Sequence, residues 1–388
     1  MIFKFLLFPI RSPASPAPAV TKGLIAQALS DSGVIHPFPA ETEILLNGKL
    51  TPVSVQYTFE PEFQEYMEKL FHSYRPDYGA FVAIDATSGR VLSMVSYTHH
   101  PAHINLSEHL ALRATFPAAS VFKVVTAAAA IAERNFNGNT VIPFNGSNHT
   151  LYRSNILKTN YNRWIRHMTL KEAFARSVNT VFGKIGAYEV GADQLKLYAD
   201  RFGFNRKIDS DLPIQVSKAP VSDDPWSLAE TASGYTPNNT MSPLQGALIG
   251  SAVVNNGVMM EPYVVQSIHS TDGQVIYEAE PKVATLAIDS STAAEVRTLM
   301  RETVRQGTSK RSFNRFFHGK FASLDVGGKT GSLSGTDPKG KYDWFIGFAD
   351  KQHSPIAIAV LTIHDKFWRV RSSYLARKAI EKYFQDQP

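Results

Sequence analysis

Two pairs of apolar runs lying far apart in the chain constrain the fold most. "GAFVAIDATSGRVLSMVS" (79–96) sets two apolar runs around the polar turn "DATSGR", and "KYDWFIGFADKQHSPIAIAVLTIH" (341–364) repeats the pattern. Each reads as a β-hairpin. The stretch between them is rich in helix formers from about residue 111 to 200. "PEFQEYMEKLF" (61–71) and the late "RSSYLARKAIEKYFQ" carry the apolar spacing of amphipathic helices. Hairpins at both ends of a helical middle predict one α+β domain: an antiparallel sheet closed by distant parts of the chain and flanked by helices, with a mostly helical lobe inserted.

Composition supports a folded core. Of 388 residues, 44% are hydrophobic and 19% charged, which suffices for one large or two modest domains. Forty Lys and Arg against 34 Asp and Glu leave a formal charge of +6, suited to an anionic polymer, a membrane surface or nucleic acid. No basic cluster with interleaved aromatics stands out, so nucleic acid is not expected as a partner. The absence of Cys excludes disulfides, thiolate catalysis and Cys-ligated metal. The opening "MIFKFLLFPIRSPASPAPAV" holds an apolar run, Phe5 to Ile10, too short to span a bilayer, and a small-x-small "APA" at 17–19. Residues 1–54 are therefore expected to be a leader or linker with a short connecting region, and any membrane anchor to be peripheral or lost.

Chemistry concentrates in three polar islands. In "FPAASVFKVV" (116–125), Ser120 and Lys123 stand three apart in an apolar run that continues into the alanine-rich "VVTAAAAIAE", so a helix starting near Ser120 places them on one face. A desolvated amine loses its proton more easily, and such an amine activates a serine without histidine. The competing reading is a capping Ser and a Lys that snorkels to solvent. "ARSVNTVFGKIG" carries Ser177 and Asn179, which alone would pass as a helix cap. "DVGGKTGSLSG" carries Lys329, Thr330, Gly331 and Ser332 on a short strand; Gly331 lets another backbone approach, and Gly327 with Gly328 precede the strand, where alone they would pass as a bulge. "THHPAHINLSEH" offers His99, His100, His103 and His109, but without Cys or paired acidic residues at ligand spacing the run reads as a surface loop, and no metal is expected.

Ser-x-x-Lys, Ser-x-Asn and Lys-Thr-Gly in that order are the signature of the penicillin-recognising serine acyltransferases. The chain resembles the transpeptidase domain of penicillin-binding proteins over roughly residues 55 to 385; "VQYTFEPEFQ", "MSPLQGALIGSAVVNNGVMMEP" and "YDWFIGFA" match its flanking segments. The resemblance implies a β-lactamase/transpeptidase-like fold for residues 55–388. It implies that Ser120 attacks a D-alanyl-D-alanine stem peptide with Lys123 as base, and that Ser177 relays a proton to the leaving nitrogen. Asn179 would bind the substrate amide, and Lys329, Thr330 and Ser332 its carboxylate, with Gly331 between them. The oxyanion hole would use the N–H groups of Ser120 and Ser332. Peptidoglycan stem peptides and β-lactams are the implied ligands, without cofactor or metal, in the periplasm or on the outer face of the cytoplasmic membrane. Too little chain precedes residue 55 for a glycosyltransferase domain, so a separate glycosyltransferase is expected as partner. A D,D-carboxypeptidase remains an alternative, as does a β-lactam sensor or β-lactamase-like protein, although no glutamate is evident after Ser-Val-Asn where a class A β-lactamase would need one.

Overall fold

The computed structural model describes residues 20–31, 38–46, 48–99, 109–158 and 161–385. Of the leader, linker and connecting region expected at 1–54, residues 1–19, 32–37 and 47 lie outside them, as do His100 and His103. The two expected hairpins form and share one five-stranded antiparallel sheet, in the spatial order Asp325–Thr336, Lys339–Asp350, Ile356–His364, Tyr78–Asp85, Val91–Thr98. The closure is the pairing of Ile356–Ile363 with Asp85–Tyr78. The sheet is therefore stitched from opposite ends of the chain.

Burial follows from the pattern. The helices Pro61–Tyr74 and Ser372–Tyr383 cover one face through Phe63, Met67, Phe71, Leu375 and Ile380. The helix Pro243–Val254 lies on the other with all twelve residues buried. Ser242 caps it, its hydroxyl accepting from Gln245 N–H. Beyond it lies the inserted helical lobe, whose apolar residues join the same core. A second sheet, ordered Glu41–Leu46, Lys49–Tyr57, Val265–Ser270, Val275–Glu278, was not evident from the sequence. Its Lys49–Tyr57 strand runs across residue 54. Among the described residues no helix is long and apolar enough to cross a membrane.

The buried helix reaches the sheet through glycine. A Cβ built on Gly250 would stand 2.7 Å from the carbonyl oxygen of Gly347. Gly250→Ala gains helix propensity of about 1 kcal/mol, but the atom it meets is backbone and cannot swing away, and overpacking of this kind costs about 1–3 kcal/mol. A net loss of stability is expected, read as a lower urea midpoint at unchanged m-value; an equal or higher midpoint would show that helix and sheet separate without strain.

Candidate active site

Ser120 does not begin an α-helix. It lies in a 3₁₀ turn, Ala119–Phe122, and the α-helix starts at Lys123 and runs to Arg134. In a 3₁₀ turn, side chains three apart eclipse, which sets Lys123 directly over Ser120. Lys123 Nζ is 2.7 Å from Ser120 Oγ, 2.8 Å from Asn179 Oδ1 and 2.5 Å from the Ser233 carbonyl oxygen. Its side chain is fully buried, so it does not snorkel. Burial, and then the positive charge of Lys329, holds its pKa well below the ordinary lysine value. A neutral amine has two N–H groups and one lone pair. The two N–H groups suit the two carbonyl acceptors, and the lone pair is left for the Ser120 hydroxyl.

The turn is held in an unusual shape. Ala119 has φ +50° and Ser177 φ +57°, both in the left-handed region that non-glycine residues avoid. Gly234, at φ +67°, closes the helix Pro225–Ser233 against this turn, and a Cβ there would stand 1.9 Å from the Ala119 carbonyl oxygen. Ser233 and Gly234 were not singled out in the sequence; the Ser-Gly pair ending a helical run was their only signal.

Ser177 joins the helices Leu170–Ala175 and Asn179–Lys184. Lys329 Nζ donates to Ser177 Oγ at 2.9 Å and to the Thr330 carbonyl at 2.8 Å. Lys329 is fully buried, and burial lowers its pKa to about 7. Thr330 shares a hydrogen bond of 2.5 Å with Thr308, another residue the sequence did not flag. Gly331 sits where a Cβ would be 3.2 Å from both Ala118 O and Val121 N, so the strand passes close to the Ala119–Phe122 turn. Trp344 Nε1 donates to Pro117 O at 2.8 Å, pinning the next strand to the same turn. Ser120, Ser177, Asn179, Thr330, Gly331 and Ser332 all line one groove of about 920 Å³, while Lys123 and Lys329 lie beneath it.

Two expectations need correction. Gly327 and Gly328 do not precede a short strand, and they form no bulge. They lie inside the twelve-residue strand Asp325–Thr336, whose register with Asp350–Lys339 is unbroken. A Cβ on either would strike the ring of Phe348 or Phe345, at 2.5 and 2.2 Å, so the glycines make room for aromatic packing. His109 is not in a surface loop: it is buried, its Nδ1 2.7 Å from Ser96 Oγ. His99 is exposed.

The penicillin binding protein transpeptidase domain, as a family, matches residues 79–383. The chain belongs to the penicillin-binding protein transpeptidase family. Peptidoglycan D,D-transpeptidase PbpA of Mycolicibacterium smegmatis is 28% identical over 317 residues, covering 74% of this chain and 62% of that protein. Stage V sporulation protein D of Bacillus subtilis is 25% identical, with 81% and 50% covered. The chain thus spans less than two thirds of the length of these relatives. Among solved structures, the D,D-transpeptidase domain of a peptidoglycan glycosyltransferase from Eggerthella lenta superposes with a TM-score of 0.71 at 28% identity, covering 88% of this chain and 85% of that one. Penicillin-binding protein A from M. tuberculosis, as its imipenem acyl-enzyme complex, gives 0.68 at 26% identity, with 86% and 80% covered. The antiparallel sheet and inserted helical lobe are the penicillin-binding protein transpeptidase fold, as the sequence led one to expect.

Proposed function

We propose that residues 55–388 form a serine D,D-transpeptidase domain that cross-links peptidoglycan stem peptides through an acyl-enzyme and is acylated by β-lactams. The observation that carries this reading is the buried Lys123 amine, 2.7 Å from Ser120 Oγ, with Asn179 and Ser233 taking its other two directions. Ser120 Oγ attacks the carbonyl carbon of the penultimate D-alanine as its proton passes to Lys123 Nζ. The tetrahedral oxyanion faces the N–H groups of Ser120 and Ser332. The C–N bond then breaks, the leaving nitrogen takes a proton through Ser177, and D-alanine departs. An acceptor amine attacks the ester and releases Ser120. Such a substrate places the protein in the periplasm, on the outer face of the cytoplasmic membrane, working on strands made by a separate glycosyltransferase.

The test uses the purified chain with a pentapeptide stem and an amine acceptor, its products identified by mass. The expected products are free D-alanine and the stem joined to the acceptor. A stem shortened by one residue with no joined product would make the protein a carboxypeptidase, and unchanged substrate would overturn the reading.

Lys329 supports it in two ways. Burial holds its pKa at about 7, and an incoming carboxylate stabilises the charged form. A charge-assisted hydrogen bond to a carboxylate is worth about 1.5–3 kcal/mol, so Lys329→Gln should slow penicillin acylation by about ten- to a hundredfold and slow an analogue lacking the carboxylate less. The Lys329 charge also lowers the Lys123 pKa. Without it that pKa rises, and the acylation rate, which climbs as Lys123 loses its proton, should climb at higher pH than in wild type. Equal losses on both compounds with an unmoved pH profile would show that Lys329 neither holds the carboxylate nor tunes the base.

A further inference from the structure

The molecule carries a basic, aromatic surface beside its groove that the reaction does not use. From Arg134 to Lys171 the chain has six Lys or Arg and no Asp or Glu, as much positive charge as the net +6 of the whole chain. Within it Tyr152, Tyr161 and Trp164 are 58%, 80% and 67% exposed, and Lys158, Arg163 and Arg166 are exposed between and beside them. The sequence expectation that no basic cluster with interleaved aromatics exists is therefore corrected. Its members are spread over fifteen positions, and only their shared exposure makes them a surface. Arg163 stands 4.6 Å from the centre of the Trp164 ring, and Arg166 stands 4.8 Å from that of Phe144 while donating to the Gly146 carbonyl at 3.0 Å. These guanidinium groups are held on rings and are unneutralised by any acid of their own segment.

The surface continues from the groove. His149 lines the groove, and the carbonyls of Asn148 and His149 accept the backbone N–H and the Nδ2–H of Asn179, each at 2.8 Å. Leu151 and Ile156 pack on Ala229, in the helix that ends at Ser233. One wall thus serves both.

We infer that the surface made by Tyr152, Lys158, Tyr161, Arg163, Trp164 and Arg166 binds the peptidoglycan strand itself, outside the groove, stacking sugar faces on Tyr161 and Trp164 and pairing stem carboxylates with Lys158, Arg163 and Arg166. This rests on the transpeptidase reading. A groove of about 920 Å³ is the size that encloses one small ligand, so it takes the end of a stem peptide while the polymer bearing that stem must run over the adjoining surface. Amphipathic rings suit a sugar face with polar edges, and arginine suits carboxylates.

The experiment is sedimentation of the full chain with insoluble purified peptidoglycan, alongside penicillin labelling of the same samples. Wild type should co-sediment, less so as salt rises. Ser120→Ala should co-sediment like wild type, so that failure of the transpeptidase reading leaves this measurement intact. The triple variant Tyr161→Ser, Arg163→Gln, Trp164→Ser, changed only at exposed positions, should lose about tenfold or more in affinity, since Trp, Tyr and Arg carry most binding energy at such surfaces, and should label with penicillin at the wild-type rate. Wild-type sedimentation of the triple variant would overturn the inference. So would equal binding of the wild-type chain to anionic phospholipid vesicles or to poly(dT), which would make the surface a membrane-docking or general polyanion site.

Discussion

Ser120→Ala is expected to abolish covalent labelling by a fluorescent penicillin, with the fold intact. The substitution removes one oxygen from the groove wall and leaves the buried residues of the turn and the helix that follows it, Val121 to Ile131, as they are. The β-lactam amide stands in for the scissile peptide, so without Oγ no ester forms. Among the described residues Ser120 Oγ is the hydroxyl that Lys123 Nζ reaches, while Ser177 Oγ accepts from Lys329. Denaturing gel fluorescence measures the outcome directly. A label that persists on Ser120→Ala would place the nucleophile elsewhere.

Lys123→Met should lower the acylation rate by about 10²–10⁴-fold, the range for a lost general base. Methionine keeps the length of the buried stem and removes the amine, so no cavity opens. Stability changes little, because two terms oppose each other. The Asn179 and Ser233 oxygens each lose a donor, and an unsatisfied buried acceptor costs about 1–3 kcal/mol. Against that, the folded state no longer holds an amine at a depressed pKa, a penalty that for a lysine is absent above its unfolded pKa near 10.4 and grows as pH falls toward the folded value. Stopped-flow acylation and circular dichroism separate the two consequences. A wild-type rate would show that Lys123 is not the base.

How much of this was legible in the chain depended on how local the signal was. The hairpins at 79–96 and 341–364 announced themselves because their burial is continuous along each strand, and an apolar run between polar turns needs no partner to be recognised. Ser120 and Lys123 were legible for the same reason: their relation is set by a spacing of three residues, about one helical turn. The third contact of Lys123, to the carbonyl of Ser233, was not, since a backbone oxygen carries no side-chain signature and becomes significant only where a helix ends against the amine. The second sheet escaped because the Glu41–Leu46 and Val275–Glu278 strands are short and mostly exposed or half-buried, so packing leaves little trace in their residue types. Gly327 and Gly328 were misread because glycine in a strand suggests a break, and the rings of Phe348 and Phe345 that require it come from the neighbouring strand.

The order in which the sheet is assembled has a consequence for the newborn chain. The strand Tyr78–Asp85 waits for Ile356–His364, and Lys329 comes late in the chain as well. Closing a loop of this length opposes folding by about 5 kcal/mol of chain entropy, and at ribosomal rates the partner emerges roughly 10–50 s after the first hairpin. Until the helices carrying its acceptors Asn179 and Ser233 pack around it, the Lys123 amine is hydrated and charged and Ser120 is an ordinary alcohol. The exposed edge of Tyr78–Asp85 is meanwhile a template for the wrong strand. Activation of the Ser120 hydroxyl is thereby deferred until the lobe has packed, and the protein depends in that window on whatever shields an open sheet edge.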